Sequence, residues 1–310
     1  MTNTVEPDIA SQTFGDPAHP PLLLIMGAMA SMLWWPEAFC RKLADEGLFV
    51  IRYDNRDTGR STKYAPGEPP YTFDDMVDDA IRVLDHHGIS KAHVAGMSMG
   101  GMIAQLVALK YPSRVLSLTA ISTSPARIDT SHLPGTSEAY KKHSAEGADV
   151  DWSDRNQVVD FIVKDAQVIA GTAHPFDEER TRRFVEQDYD RSGGLLSATN
   201  HFLLKGAEDL GAEDRGAEDR GAEDRGAEDR GAEDRGAEDR GAEDRGAEGS
   251  KGDLHDLTVP LLVIHGTADP IFPIEHGAAL AEAVAGAKLV RIEGGGHELH
   301  PDDWAAVIAG

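Results

Sequence analysis

The pentapeptide Gly96-Met97-Ser98-Met99-Gly100 constrains this chain more than any other segment, because of what flanks it. The apolar run Ala92 to Ala95 reads as a short buried strand, and Met102 to Tyr111 reads as a helix that Pro112 stops. A chain passing from strand to helix within so few residues must turn sharply, and Ser98 lies on that corner. The two glycines of the pentapeptide leave no side chain to crowd the hydroxyl, and Gly100-Gly101 let the backbone turn tightly. The helix N-terminus then points at any negative charge that develops beside Ser98. The pattern alone is weak evidence of chemistry; the rest of the chain has to supply partners.

Two later segments do so, in the order serine, acid, histidine. Val259 to Ile264 is a buried-strand pattern that runs into His265-Gly266-Thr267-Ala268-Asp269-Pro270, which places the Asp269 carboxylate on a loop just past a strand end. A helical stretch from about Glu275 to Ala285 and a short strand, Lys288 to Ile292, precede Gly294-Gly295-Gly296-His297. His297 is the candidate base, and the glycines before it suggest a loop able to adopt positive φ. His300 is the alternative base, three residues on and without a preceding glycine.

Strand patterns recur at Leu22–Met26, Phe49–Tyr53, Ala92–Ala95, Val115–Ile121, Pro260–Ile264 and Lys288–Ile292, with helical patterns between them. Such alternation predicts a mostly parallel sheet. Thr72 and Asp75 resemble a helix-capping pair ahead of the apolar stripe Val77, Ala80, Ile81 and Leu84, and Gly88 ends that helix. The alternation breaks between Ser122 and about Leu204, where helical pieces such as Asn156–Ala170 and Asp177–Asp188 stand instead. The expected division is a core over 1–123, a helical insertion over 124–205, a charged repeat over 206–250, and the rest of the core over 251–310.

The repeat consists of seven perfect Gly-Ala-Glu-Asp-Arg copies over 211–245, flanked by imperfect ones. A period of five fits neither helix nor strand, and no apolar side chain larger than Ala occurs in the perfect copies. Disorder or loose helix is therefore expected, and the spacing of its acids is not that of a calcium loop. The segment holds 17 acidic side chains and 7 arginines of a chain whose net charge is −24, so the remainder is acidic as well. Such a surface disfavours nucleic acid and anionic membrane as partners. No apolar run approaches the ~18 residues of a membrane span, and Met1 to Asp16 has no leader pattern, so a soluble cytoplasmic protein is expected. The single cysteine, Cys40, excludes an internal disulfide and reads as a core thiol. His86, His87 and His201 read as surface or satisfied histidines, with no metal site expected.

Outside residues 206–250 the chain resembles the α/β-hydrolase family, and within it the aclacinomycin methylesterase group. The resemblance rests on the motifs above together with Phe14-Gly15-Asp16-Pro17, Leu23-Leu24-Ile25-Met26-Gly27 and Arg52-Tyr53-Asp54-Asn55-Arg56-Asp57-Thr58-Gly59-Arg60-Ser61-Thr62. It implies an α/β-hydrolase fold: a mostly parallel central sheet, helices on both faces, and a helical cap inserted above the serine. Only Ile9 to Phe14 is available for opening strands, so the family's first strand is expected to be absent. Asp54, Arg56 and Ser61 are expected to brace loops. The implied catalytic set is Ser98, Asp269 and His297, with the Met99 and Ala28 N–H groups as oxyanion donors and no cofactor or metal. Met26 stands where many relatives have His, which leaves the Ala28 donor the less secure of the two. Six of the eight methionines lie in the two segments flanking that position, and Met29, Met32 and Trp34 are the candidate pocket residues. The expected activity is hydrolysis of a small to medium apolar ester, a methyl ester by resemblance, with the small-molecule ester as the only partner and the oligomeric state open. Cofactor-free perhydrolase or haloperoxidase-like chemistry, or a catalytically silent binding protein, stand as alternatives.

Overall fold

A computed structural model describes residues 6–205 and 253–309. The charged repeat and the expectations attached to it lie outside the described residues. Seven strands, β1 (Ser11–Phe14), β2 (Pro21–Ile25), β3 (Phe49–Tyr53), β4 (Ala92–Met97), β5 (Val115–Ile121), β6 (Leu261–Gly266) and β7 (Lys288–Ile292), form one sheet in the order β1-β3-β2-β4-β5-β6-β7. Only β1 runs antiparallel, against β3; the other neighbours pair in parallel. Among the described residues one strand precedes β2, as the short N-terminal segment led one to expect.

Central strands such as β2 and β3 are buried on both faces because helices cover both. On β2, Leu23 and Ile25 point into a core shared with helices α2 (Phe73–His86), α3 (Met99–Lys110) and α7 (Ile274–Ala283). Leu22 and Leu24 point the other way, toward α1 (Glu37–Asp45) and α8 (Trp304–Ala309), where Phe39, Cys40, Leu43 and Trp304 complete a second core. Cys40 is buried there, and burial pushes its thiol up to about 12, so it is an inert core residue. Helix α2 starts at a capping box: the Thr72 hydroxyl accepts from the Asp75 N–H, and the Asp75 carboxylate accepts from the Thr72 N–H.

Between β5 and β6 the chain inserts α4 (Glu138–Glu146), α5 (Arg155–Ile169), α6 (Glu178–Ser192) and a 3-10 stretch over Leu196–Leu203. Helices α5 and α6 pack on each other through Val159, Val163 and Val185, a small core of their own that Trp34 also joins. Helix α4 is additional to the pieces read from periodicity. No described helix is long and apolar enough to cross a membrane.

Candidate active site

Ser98 occupies the single residue between β4 and α3, with φ 56° and ψ −126°. That is an uncommon conformation for a residue with a β-carbon and costs on the order of 1–3 kcal/mol. The surroundings hold it in place. Its N–H donates to the Ile121 carbonyl at 3.0 Å, and its own carbonyl accepts from the Gly101 N–H at 2.8 Å, the Met102 N–H at 3.2 Å and the Thr123 hydroxyl at 2.7 Å. The turn is therefore made at Ser98 itself, and α3 begins at Met99, three residues earlier than the apolar period indicated. The glycines serve close packing instead of turning: a β-carbon on Gly96 would lie 2.0 Å from the Gly100 carbonyl oxygen, and one on Gly100 would lie 2.2 Å from that of Ile25.

Asp269 and His297 sit on the loops after β6 and β7, adjacent parallel strands whose ends lie side by side. His297 Nδ1 donates to Asp269 Oδ2 at 2.8 Å, and both residues are buried. Because Nδ1 carries the proton, Nε2 of His297 carries the lone pair. The other carboxylate oxygen of Asp269 accepts the N–H groups of Ile271 and Phe272, each at 2.9 Å. Burial alone would raise the Asp269 carboxyl. The His297 charge and hydrogen bond, with His265 and the Phe272 N–H, outweigh that and hold it below the usual carboxylate range. Asp269 is thus an anion that can orient an imidazole and stabilise an imidazolium.

Of the three glycines before His297 only Gly294 has positive φ, at 69°. Gly295 and Gly296 are required by contact instead. A β-carbon on Gly296 would lie 2.3 Å from both the Gly171 nitrogen and the Ile169 oxygen, and one on Gly171 would lie 2.2 Å from the Gly294 oxygen. The insertion thus lies backbone to backbone against the histidine loop, and the His297 N–H donates to the Ile169 carbonyl at 2.9 Å. His300 takes no part in this arrangement; its ring stacks on that of His174 at 3.9 Å.

The loop after β2 passes beside the serine. A β-carbon on Gly27 would lie 3.1 Å from Ser98 Cβ and 3.6 Å from its Oγ. Ala28 follows, and then Met29 at φ 62°, whose N–H is already committed to His201 Nδ1 at 3.0 Å. The Met99 N–H opens α3, where no carbonyl one turn back exists to receive it. Of the candidate pocket residues, Met29 is half-buried. Met32 is buried at the start of a 3-10 turn, its N–H on Asp54 Oδ1 at 2.7 Å. Trp34 packs edge-on to Phe184 of α6 at 4.9 Å and donates its indole N–H to Asp188 at 2.9 Å.

Three side chains of the insertion that the sequence reading had not connected with the serine fasten this loop. Asp188 accepts from Trp34 and from the Ser31 hydroxyl at 2.5 Å, and burial raises its carboxyl against the pull of those two donors. Arg191 pairs with buried Asp54 through both guanidinium NH groups, at 3.1 and 2.8 Å. His201, read as surface or satisfied, is satisfied and buried: Nδ1 accepts from Met29, and Nε2–H donates to the Arg56 carbonyl at 2.8 Å. A signal for Asp188 was present, since it falls with Val185 and Ser192 on the buried side of α6. Asp54 and Ser61 brace loops as expected: Asp54 also accepts the Arg60 N–H, and Ser61 donates to the Asp54 carbonyl. Arg56 pairs with Asp79 at 2.5 Å.

Among the described residues, one histidine and carboxylate group has donors close enough for a cation: His174, His300 and Asp302, all outside the serine, acid and histidine set. A groove of about 400 Å³, lined by Leu22, Leu24, Trp35, Ala95 and Leu262 among others, touches none of Ser98, Asp269 and His297.

The family model for the alpha/beta hydrolase fold matches residues 20–303. The chain is 36% identical to rhodomycin D methylesterase DauP of Streptomyces sp. (strain C5), over 96% of this chain and 92% of that protein. It is 31% identical to rhodomycin D methylesterase DnrP of Streptomyces peucetius, again over 96% of this chain and 92% of the relative. Among solved structures, an esterase from Exiguobacterium antarcticum superposes with a TM-score of 0.66 at 21% identity, covering 97% of this chain and 92% of that one. At that identity the likeness speaks for the fold alone. With its sheet order, its serine corner and a family match over nearly its whole length, the chain belongs to the α/β-hydrolase fold family.

Proposed function

We propose that this chain is a serine carboxylic ester hydrolase whose substrate is a methyl ester on a polycyclic acid. The observation that carries the reading is the 2.8 Å hydrogen bond from His297 Nδ1 to Asp269, which leaves the His297 Nε2 lone pair to take a proton from a serine on a strained strand-to-helix corner. Ser98 Oγ attacks the ester carbonyl carbon while His297 accepts its proton, and Asp269 stabilises the imidazolium. The carbonyl oxygen becomes an oxyanion between the Met99 and Ala28 N–H groups, held where charge develops. On collapse the alkoxide leaves as the alcohol, methanol for a methyl ester, with the proton from His297. Water then attacks the acyl-enzyme through the same base, releasing the acid and restoring Ser98. No step calls on a cofactor.

The insertion acts as a cap that limits water at the serine and shapes the acyl pocket, with Met29, Met32 and Trp34 as its apolar lining. Support for the methyl ester comes from the two rhodomycin D methylesterases, which match along almost all of the chain. A fluorophosphonate probe with intact-mass measurement tests the nucleophile: one adduct on the wild type and none on Ser98→Ala is expected, and an unlabelled wild type overturns the reading. A panel of p-nitrophenyl esters from acetate to palmitate, run beside methyl esters of polycyclic acids, tests the substrate. Fastest turnover of palmitate would overturn the enclosed pocket.

A further inference from the structure

Leu261, Val263 and His265 lie on one face of β6, the face covered by α7. The first two are core residues, and His265 is fully buried beside them. An imidazole in that place has to put its polar atoms to use. Nε2–H donates to the Phe272 carbonyl at 2.7 Å. Nδ1 then carries the lone pair, and it has no hydrogen-bond partner among the described residues. It faces Gly277 of α7, where a β-carbon would lie 2.6 Å from Nδ1 and 2.9 Å from His265 Cβ. The ring fills a slot that a glycine leaves open, and a second proton would point into that slot without an acceptor. Burial holds the imidazole below its ordinary range, although Asp269 and the Phe272 carbonyl pull the other way. His265 is thus a neutral donor of one hydrogen bond.

That bond leads back to Asp269. The turn over residues 269–272 gives Asp269 Oδ1 its two N–H donors, from Ile271 and Phe272. The donors stay aimed only while the turn itself is held, and its carbonyls hold it. The Pro270 carbonyl accepts from the Ser137 N–H at 2.8 Å, that of Ile271 from the Thr136 hydroxyl at 3.1 Å, and that of Phe272 from His265. The first two donors belong to the insertion; of the three, only His265 belongs to the sheet. Phe272 also sets its ring against that of His297, with centroids 5.8 Å apart. His265 Nε2 lies 3.6 Å from Asp269 Oδ2. This exceeds the ~3.2 Å limit of an ordinary hydrogen bond, so His265 leaves that oxygen to His297.

We propose that His265 is a positioning residue for the ester hydrolysis, acting through the 269–272 turn to keep the Asp269 carboxylate in line with His297 Nδ1. This role rests on the reading of Ser98, Asp269 and His297 as the catalytic set, but the hydrogen bond it maintains can be observed without turnover. A substitute for His265 has two tasks: to fill the slot at Gly277 and to donate from the place of Nε2. The glutamine amide can donate from that place, whereas phenylalanine only fills the slot. The two variants therefore separate positioning from packing.

Steady-state hydrolysis of p-nitrophenyl acetate is measured on the full-length wild type, His265→Phe and His265→Gln. In the same proteins the His297 Nδ1 proton, carried downfield by its bond to a carboxylate, is followed by NMR and assigned by its absence from His297→Ala. His265→Phe should lower kcat about ten- to a hundredfold with KM within about twofold of wild type, and its Nδ1 resonance should move or vanish. His265→Gln should keep the resonance and recover most of the lost kcat. Gly277→Ala keeps the imidazole but displaces it, in a helix that alanine suits better than glycine, and should behave as His265→Phe does. The proposal is overturned by a His265→Phe kcat within about twofold of wild type, by equal losses in His265→Phe and His265→Gln, or by an unchanged Nδ1 resonance in His265→Phe. A wild type without Ser98-dependent turnover would overturn the ester reading instead, and the resonance in wild type and His265→Phe would still decide the positioning. Should His265→Phe fail to fold, as circular dichroism would show, Gly277→Ala and His265→Gln decide by the same readouts.

Discussion

Removing the His201 imidazole should slow catalysis without touching the proposed catalytic residues, because His201 fixes the loop that carries the proposed Ala28 oxyanion donor. Its ring is 3% exposed, accepts the Met29 N–H and donates to the Arg56 carbonyl. His201→Ala removes the partner of the buried Arg56 carbonyl, at about 1–3 kcal/mol, and that of the part-buried Met29 N–H, at somewhat less. The expected loss of stability is about 2–5 kcal/mol, and in a chain of this size each kcal/mol lowers Tm by about 2–4 °C. Met29 sits at φ 62°, which is held by this bond and adjoins Ala28. Deleting an oxyanion donor outright costs about 10²–10³ in kcat. Loosening its neighbour should cost about ten- to a hundredfold, mostly in kcat, with KM little changed.

The assay is steady-state ester hydrolysis on variants shown to be folded, well below their Tm. His201→Gln can still accept the Met29 N–H and should recover part of kcat. A His201→Ala protein whose stability falls while kcat stays within about twofold of wild type would refute the claim that the imidazole positions the loop. Stability against pH gives an independent readout. Burial holds His201 below the ordinary imidazole range, although the Arg56 carbonyl and Asp57 pull the other way. An unfolded histidine takes up its proton near pH ~6.5, before the folded one does. The stability due to neutral His201 is therefore complete above about pH 6.5 and declines as pH falls below it. Buried His265 acts in the same direction. His201→Ala should show a shallower acid-side decline than wild type in denaturant titrations.

Four further outcomes are expected. Ser98→Ala should lower kcat by about 10⁴-fold or more with the fold intact, and Ser98→Gly should be more stable than Ser98→Ala by about 1–2 kcal/mol because glycine relieves the φ of 56°; equal denaturation midpoints would count against strain at the corner. Asp269→Asn should cost about 10⁴ in kcat by reversing the hydrogen-bond sense at His297, and it should also remove an acid-side loss of stability, since the lowered Asp269 carboxyl stabilises the fold above the ordinary carboxylate range and loses that contribution as pH falls through its folded value. Gly96→Ala should fail to fold or lose more than about 3 kcal/mol by chemical denaturation, because its β-carbon meets the Gly100 oxygen at 2.0 Å. Deleting residues 211–245 should leave Tm and kcat nearly unchanged, since those copies contain no apolar side chain larger than Ala.

What could be read from the sequence was what is written locally. Ser98, Asp269 and His297 each follow a short run that reads as a strand, buried in β4 and β6 and partly exposed in β7, and parallel pairing brings such strand ends to one edge of the sheet. The need for glycine at 100, 171 and 296 was not legible as such. The reason is the approach of a second backbone remote in sequence, which no local pattern records. The same holds for Asp188, Arg191 and His201, whose partners lie more than a hundred residues away.

These three residues divide the work between the two parts of the molecule. The core alone fixes Ser98, through Ile121, Thr123 and the first turn of α3. The loop over residues 27–35 is different: Ser31, Trp34 and Met29 are all bonded to the insertion, and the Met32 N–H reaches it indirectly through Asp54 and Arg191. Substitutions on the side of α6 that carries Val185, Asp188 and Ser192 should therefore act on the placement of the proposed Ala28 donor, and so on kcat. Substitutions at exposed α6 positions such as Glu179 and Arg183, whose ion pair is open to solvent, leave that donor where it is. If the insertion is the proposed cap, its outer surface is free to vary, whereas along this one helical face a change made to alter substrate choice should also alter the rate of the chemical step.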